Sequence, residues 1–166
     1  MAKAGYRHRS AGVAWRAGHV ARGTGPILDA GAGTGLVGQW LQILEYPEAE
    51  ALDISPGMRA VARSKGVYSA FHCLALGGKL PFVTDAYGGI LSTGVFTTGH
   101  VGAEALDELI RVCRPGGAIV LTVKDTVWSA SFAARLNALS DQGVIHVIEE
   151  TPPYVSMPGE AATSPS

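Results

Sequence analysis

Four glycines, Gly31, Gly33, Gly35 and Gly38, stand within eight residues, directly behind a short apolar run that carries an acid, Ile27-Leu28-Asp29-Ala30. Bare backbone of this kind turns where a side chain would be strained, and lets a ligand approach without meeting a Cβ. Leu36, Val37, Trp40, Leu41 and Leu44 then recur at helical spacing. Strand, tight turn and helix follow one another, and the helix N-terminus offers unpaired N–H groups to an acceptor. The chemistry this implies is the cradling of a nucleotide-type cofactor. A second acid, Asp53, closes the next apolar run. An acid at a strand end beside such a cradle can accept hydrogen bonds from both vicinal hydroxyls of a ribose.

The glycine spacing admits two readings. Gly33-Thr34-Gly35-Leu36-Val37-Gly38 satisfies G-x-G-x-x-G, and Asp53 lies twenty residues after Gly33, as the dinucleotide fingerprint asks. Gly31-Ala32-Gly33-Thr34-Gly35 equally forms G-x-G-x-G, with Asp29 two residues ahead. A carboxylate at Asp29 would repel the negative charge of a pyrophosphate and tips the balance toward a cofactor with a cationic end.

The elements that must position these residues alternate in type. Strands are expected over residues 27–30, 49–54, 70–74, 89–92, 118–123 and 144–148. Helices are expected from the glycine turn to about residue 45, from Ser55-Pro56 to Gly66, and over about 103–113 and 131–140. Ser55 and Pro56 supply an N-cap and a first-turn proline, and Gly66 a helix stop. Arg114-Pro115-Gly116-Gly117 reads as a turn. Such alternation predicts an α/β fold with a doubly wound, mainly parallel sheet. Its ligand belongs at the carboxyl ends of the strands. There the segment from Ser92 through Thr93 and Gly94 to Gly102 is rich in hydroxyls and glycine, and His100 is its one side chain able to act as a base or orient a substrate.

The chain has 166 residues, 47% hydrophobic and 16% charged, enough for one domain with a core. Its net charge of −1 gives no general electrostatic footprint for nucleic acid. Lys3, Arg7, Arg9, Arg16 and Arg22 meet no acid before Asp29, so residues 1–25 form a basic arm, read as a solvated segment. Residues 26–150 are read as the cofactor-binding domain. Residues 151–166, with four prolines, are read as a tail. Cys73 and Cys113 lack ligand-type spacing and read as small core residues of a reducing compartment, with no metal site. No signal peptide or membrane span is read, and the cytoplasm is the default expectation.

Asp29-Ala30-Gly31-Ala32-Gly33-Thr34-Gly35 resembles motif I of the class I S-adenosylmethionine-dependent methyltransferases. Asp53-Ile54-Ser55-Pro56-Gly57-Met58 resembles their next cofactor segment, and Leu80-Pro81-Phe82 and the stretch from Leu109 to Gly117 their later landmarks. Lys65-Gly66-Val67-Tyr68 and the segment from Gly94 to Gly102 are similar to the group of the methyltransferase-like protein of the Williams–Beuren syndrome region and its bacterial relatives. The resemblance implies a Rossmann-like fold, S-adenosyl-L-methionine as cofactor, and methyl transfer to a small-molecule acceptor. Asp29, Gly31, Ala32, Gly33, Thr34 and Gly35 would surround the amino-acid end of the cofactor, and Asp53 would hold the ribose. Ile54 and Met58 would lie against the adenine. Ser92, Thr93 and Gly94 would floor the transfer site.

The sequence departs from that pattern in places. Ala75, followed by Leu76, stands where relatives carry an acid for the adenine amino group, and Gly88 stands where they carry an acid before strand four. Pro152, Pro153 and Pro158 follow strand six in place of a convincing seventh strand, which implies a shortened sheet end. A second copy of the chain could cover the bare edge as a homodimer. Two alternatives stay open at this point: a non-catalytic or truncated relative that binds cofactor weakly or pairs with a partner, and an NAD-dependent oxidoreductase.

Overall fold

A computed structural model describes residues 25–46, 48–96, 104–123 and 130–147. β1 (Ile27–Ala30) is buried along its whole length. β2 (Ala49–Leu52), β3 (Ala70–His72), β4 (Tyr87–Phe96) and β5 (Cys113–Val123) join it in one five-stranded sheet of order β3-β2-β1-β4-β5. Every pairing is parallel, with Ile27 opposite both Ala49 and Gly89, and Asp29 opposite both Ala51 and Leu91.

A parallel sheet survives in water only with both faces covered. Successive strand residues point to opposite faces, so the apolar runs divide into two cores. α1 (Leu36–Ile43) and α2 (Pro56–Ser64) bring Val37, Leu41 and Ala62 onto Ile27, Ala49, Ala51, Leu91 and Val120. α3 (Ala105–Val112) and α4 (Ala130–Asp141) bring Leu106, Leu109, Val112, Phe132 and Leu139 onto Leu28, Ala30, Leu52 and Ile90. The doubly wound α/β arrangement is therefore present. No helix among the described residues is long and apolar enough to cross a membrane.

Arg111 of α3 ties two sequence landmarks together. Its guanidinium donates to the carbonyls of Leu80 (3.0 Å) and Phe82 (2.9 Å) and pairs with Glu108 at 2.7 Å. Glu108 also accepts from the Leu80 N–H at 2.7 Å. Together these donors hold the Glu108 carboxyl down to about 2. Across the same sheet face, Glu50 accepts from the Tyr87 hydroxyl (2.6 Å) and lies 2.9 Å from the His72 ring nitrogen. Burial, reinforced by Glu50, pushes the Tyr87 phenol far above its usual range.

Several element boundaries correct the sequence expectations. β2 and β3 end at Leu52 and His72, each two residues early. β5 begins at Cys113, and the expected turn at 114–117 becomes an irregularity inside it. Tyr87 pairs with Cys113 and Gly89 with Ala118, so two steps along β4 face five along β5. The surplus folds tightly enough that a Cβ at Gly117 would stand 2.6 Å from Cys113 Sγ.

The sixth strand is not formed over residues 144–147. Gln142, Gly143, Val144 and Ile145 instead turn their N–H groups back to the carbonyls of Ala138, Ser140 and Leu139. Gly143 takes the left-handed conformation (φ 71°) that ends a helix this way, leaving Val144 and Val147 about half exposed. Cys113 is a core residue as expected, but Cys73 is exposed. The basic arm, the tail, and any seventh strand lie outside the described residues.

Candidate functional site

The strand order reverses at β1, with β2 and β3 to one side and β4 and β5 to the other. In open α/β sheets the ligand crevice lies at such a switch point, outside the carboxyl ends of the strands. The glycine bend begins there. Gly31 and Ala32 donate to the Leu52 carbonyl at 2.7 and 3.0 Å, and Gly35 donates to the Ala32 carbonyl at 3.0 Å. Gly33 donates to Asp53 Oδ2 at 2.8 Å. Gly33 and Gly35 both hold the left-handed backbone, with φ of 56° and 89°, so a side chain would be strained at either position.

Asp53 is a half-buried staple between the bend and the end of β2. Its other oxygen, Oδ1, accepts from the Ser55 N–H at 2.7 Å. Ser55 in turn caps α2 through its hydroxyl, which accepts from Met58 N at 3.3 Å, with Pro56 in the first turn as the sequence implies. A carboxylate has about four lone-pair sites. Two remain after the Gly33 and Ser55 contacts, enough for a vicinal diol. Beside it lie the exposed apolar side chains of Ile54 (66% exposed) and Met58 (50% exposed). Asp53, Ile54, Met58 and the glycines are thus brought together.

Asp29 sits beneath the bend, fully buried. The Tyr68 hydroxyl donates to Asp29 Oδ2 at 2.5 Å and accepts from the Gly38 N–H at 3.0 Å. Gly38 is glycine for this reason: a Cβ there would stand 2.4 Å from Tyr68 Cζ. The glycine that completes the dinucleotide-like spacing therefore makes room for a tyrosine ring. In the sequence Tyr68 stands out only within the resemblance carried by Lys65-Gly66-Val67-Tyr68, which implies no role for it. Its partner is 39 residues away, and no local pattern marks such a pair.

The remaining positions are distributed around this centre. Ser92 and Thr93 of β4 are buried, at 0% and 5% exposure, and Ser92 Oγ meets no hydrogen-bond partner among the described residues. Gly94 continues the same strand. Ala32 is buried and Thr34 half-buried within the bend. Ala75 is exposed after β3, whereas Leu76 packs against the α3–α4 core. His100 lies outside the described residues.

Comparison with known proteins bears on the family and the fold. The family model of a methyltransferase domain matches residues 28–121. The uncharacterized methyltransferase YodH of Bacillus subtilis (strain 168) is 31% identical over 98 residues, 57% of this chain and 41% of its own length. Among solved structures, S-adenosylmethionine-bound CalS10, an amino pentose methyltransferase from Micromonospora echinaspora, superposes with a TM-score of 0.58 at 24% identity, over 72% of this chain and 51% of its own. The [4+2]-cyclase SpnF reaches the same TM-score, 0.58, at 17% identity, over 76% of this chain and 57% of its own. The chain spans about two fifths of the length of its curated relative and a little over half that of these two structures. At such identities the structures speak for the fold, and SpnF shows the fold beside a different named chemistry. The match from Leu28 in β1 to Leu121 in β5, more than half of the chain, carries the family: this chain belongs to the methyltransferase domain family.

Proposed function

We propose that the chain binds S-adenosyl-L-methionine in the bend between β1 and α1 and transfers its methyl group to a small-molecule acceptor. The observation that carries this reading is Asp53. A half-buried carboxylate, stapled at 2.8 Å to a glycine N–H and flanked by exposed Ile54 and Met58, suits a ribose diol with a flat base beside it. Asp29 below the bend adds negative charge at the end assigned to the amino acid. Ser92 and Thr93 supply hydroxyls at the end of the neighbouring strand.

The same geometry counts against a diphosphate cofactor. An anion site at a helix N-terminus needs outward N–H groups. The bend N–H groups of Gly31, Ala32, Gly33 and Gly35 donate within the protein, and so does that of Gly38 in the first turn of α1. Asp29, directly beneath the bend, would repel a pyrophosphate there.

When bound, the cofactor supplies an electrophilic methyl carbon on a sulfonium centre. The chain's own residues hold and orient it and keep water away, the largest contribution open to a protein in such a transfer. His100 is retained as a base or substrate-orienting group on sequence grounds alone. The closer grouping with the Williams–Beuren methyltransferase-like protein rests on sequence segments only. Nothing among the described residues favours a second copy at the sheet edge.

Ala75 favours the weaker-binding version of this reading. Its methyl side chain offers no acceptor where the resemblance expects an acid, a loss of about 1 kcal/mol, or roughly fivefold to tenfold in affinity. Calorimetric titration with S-adenosylhomocysteine and, separately, with NAD tests the assignment. Heat with the first and none with the second is expected. Binding of NAD alone, or of neither at millimolar ligand, contradicts it.

A further inference from the structure

We infer that Tyr68 is a positioning residue of the cofactor site, acting through Asp29. The inference rests on the reading of the bend as an adenosylmethionine site. The Tyr68 ring is buried, at 9% exposure, and stands edge-on to Phe71 with centroids 5.5 Å apart. Its hydroxyl is held from both sides, donating to Asp29 Oδ2 at 2.5 Å and accepting from Gly38 N at 3.0 Å.

The second contact replaces a missing cap. α1 has Gly35 at its N-cap, with no side chain to accept from the first turn. Gly38 is the third helical residue, one of the donors a helix cannot satisfy internally. Tyr68 satisfies it from the loop after α2. The first contact gives a carboxylate at 0% exposure a short O–H donor, and a buried carboxylate is tolerated only when hydrogen-bonded. One phenol thus locks three pieces together: the end of β1, the first turn of α1, and the loop after α2. It cannot rotate away without abandoning both partners. Asp29 is therefore fixed in one orientation at the end of the site assigned to the amino-acid part of the ligand.

This role separates ligands in a way that a general contribution to folding does not. S-adenosylhomocysteine carries the amino-acid end, whereas 5′-methylthioadenosine lacks it and keeps the adenosine held at Asp53. Both are titrated calorimetrically into the full chain, wild type and Tyr68→Phe. The expected result is a rise of about tenfold in the Kd for S-adenosylhomocysteine and less than about twofold for methylthioadenosine. Equal losses for the two ligands, or no loss for either, overturn the inference while leaving the cofactor assignment intact. A wild-type chain that binds neither ligand removes the cofactor assignment itself, and the inference with it.

If Tyr68→Phe does not fold, Asp29→Asn carries the test, because its amide oxygen still accepts from Tyr68. It must weaken S-adenosylhomocysteine selectively, and unselective loss overturns the inference. Where both variants fold, the double variant must lose no more discrimination than Asp29→Asn alone. Additive losses would show that Tyr68 does not act through Asp29.

Discussion

At the scale of single residues, two carboxylates of the same type do different work because their surroundings differ. Asp53 is half-buried and keeps lone pairs available beside exposed apolar side chains, whereas Asp29 is sealed beneath the bend against Tyr68. Asp53→Asn retains the size of the side chain but loses charge-assisted acceptance, worth about 1.5–3 kcal/mol per such bond. Titration of that variant with S-adenosylhomocysteine should show Kd raised by roughly tenfold to hundredfold. Ala75→Asp restores an acceptor at an exposed position and should lower Kd by about fivefold. The glycines and both acids were legible in the sequence because spacing along the chain specifies a strand–turn–helix unit. Tyr68 was not, because its meaning depends on a contact across 39 residues that only packing creates.

At the scale of elements, the same substitution should act with opposite signs on two helices. Glycine to alanine in a helix ordinarily stabilises by up to about 1 kcal/mol. Gly57, in the first turn of α2, has open space around its added Cβ, so Gly57→Ala should raise the melting temperature by a few degrees. Gly38→Ala should lower it, because the added carbon would stand 2.4 Å from Tyr68 Cζ. Overpacking costs about 1–3 kcal/mol and outweighs the helix propensity gained. Thermal melts of the two variants against wild type check both signs. The helices and buried strands were legible in outline from their periodicity. The sixth strand was misread because Val144, Ile145 and Val147 look strand-like in isolation. Gly143 turns that stretch back onto the carbonyls of α4 before any pairing begins. The expected turn at 114–117 was real as a local bend. Its absorption into β5 depends on the register with β4, which no local pattern reveals.

At the scale of the whole molecule, the sheet holds the site and α3 holds the loop that closes one side of the sheet. Glu108 and Arg111 clamp Leu80 and Phe82, and this pairing adds a pH-dependent contribution to the stability of the fold. The Glu108 carboxyl is held near 2 in the folded chain against an ordinary 4.5. A depressed folded-state value contributes stability above the unfolded value, and that contribution is lost as pH falls from about 4.5 toward 2. Glu108→Gln should therefore flatten the acid limb of a stability–pH curve over that window and lower stability near neutrality. An acid limb as steep in Glu108→Gln as in wild type would show that the clamp is not electrostatic. The doubly wound class was legible from the alternation of elements. The clamp was not, since its two halves read as separate landmarks.

The central claim is that Asp53 and the glycine bend hold the nucleoside of adenosylmethionine. A crystal structure of the full chain soaked with S-adenosylhomocysteine tests it most directly. The account predicts density in the bend, with the ribose hydroxyls within hydrogen-bond reach of Asp53 and the adenine against Ile54 and Met58. A ligand bound elsewhere, or a bend closed by side chains at saturating ligand, would contradict it.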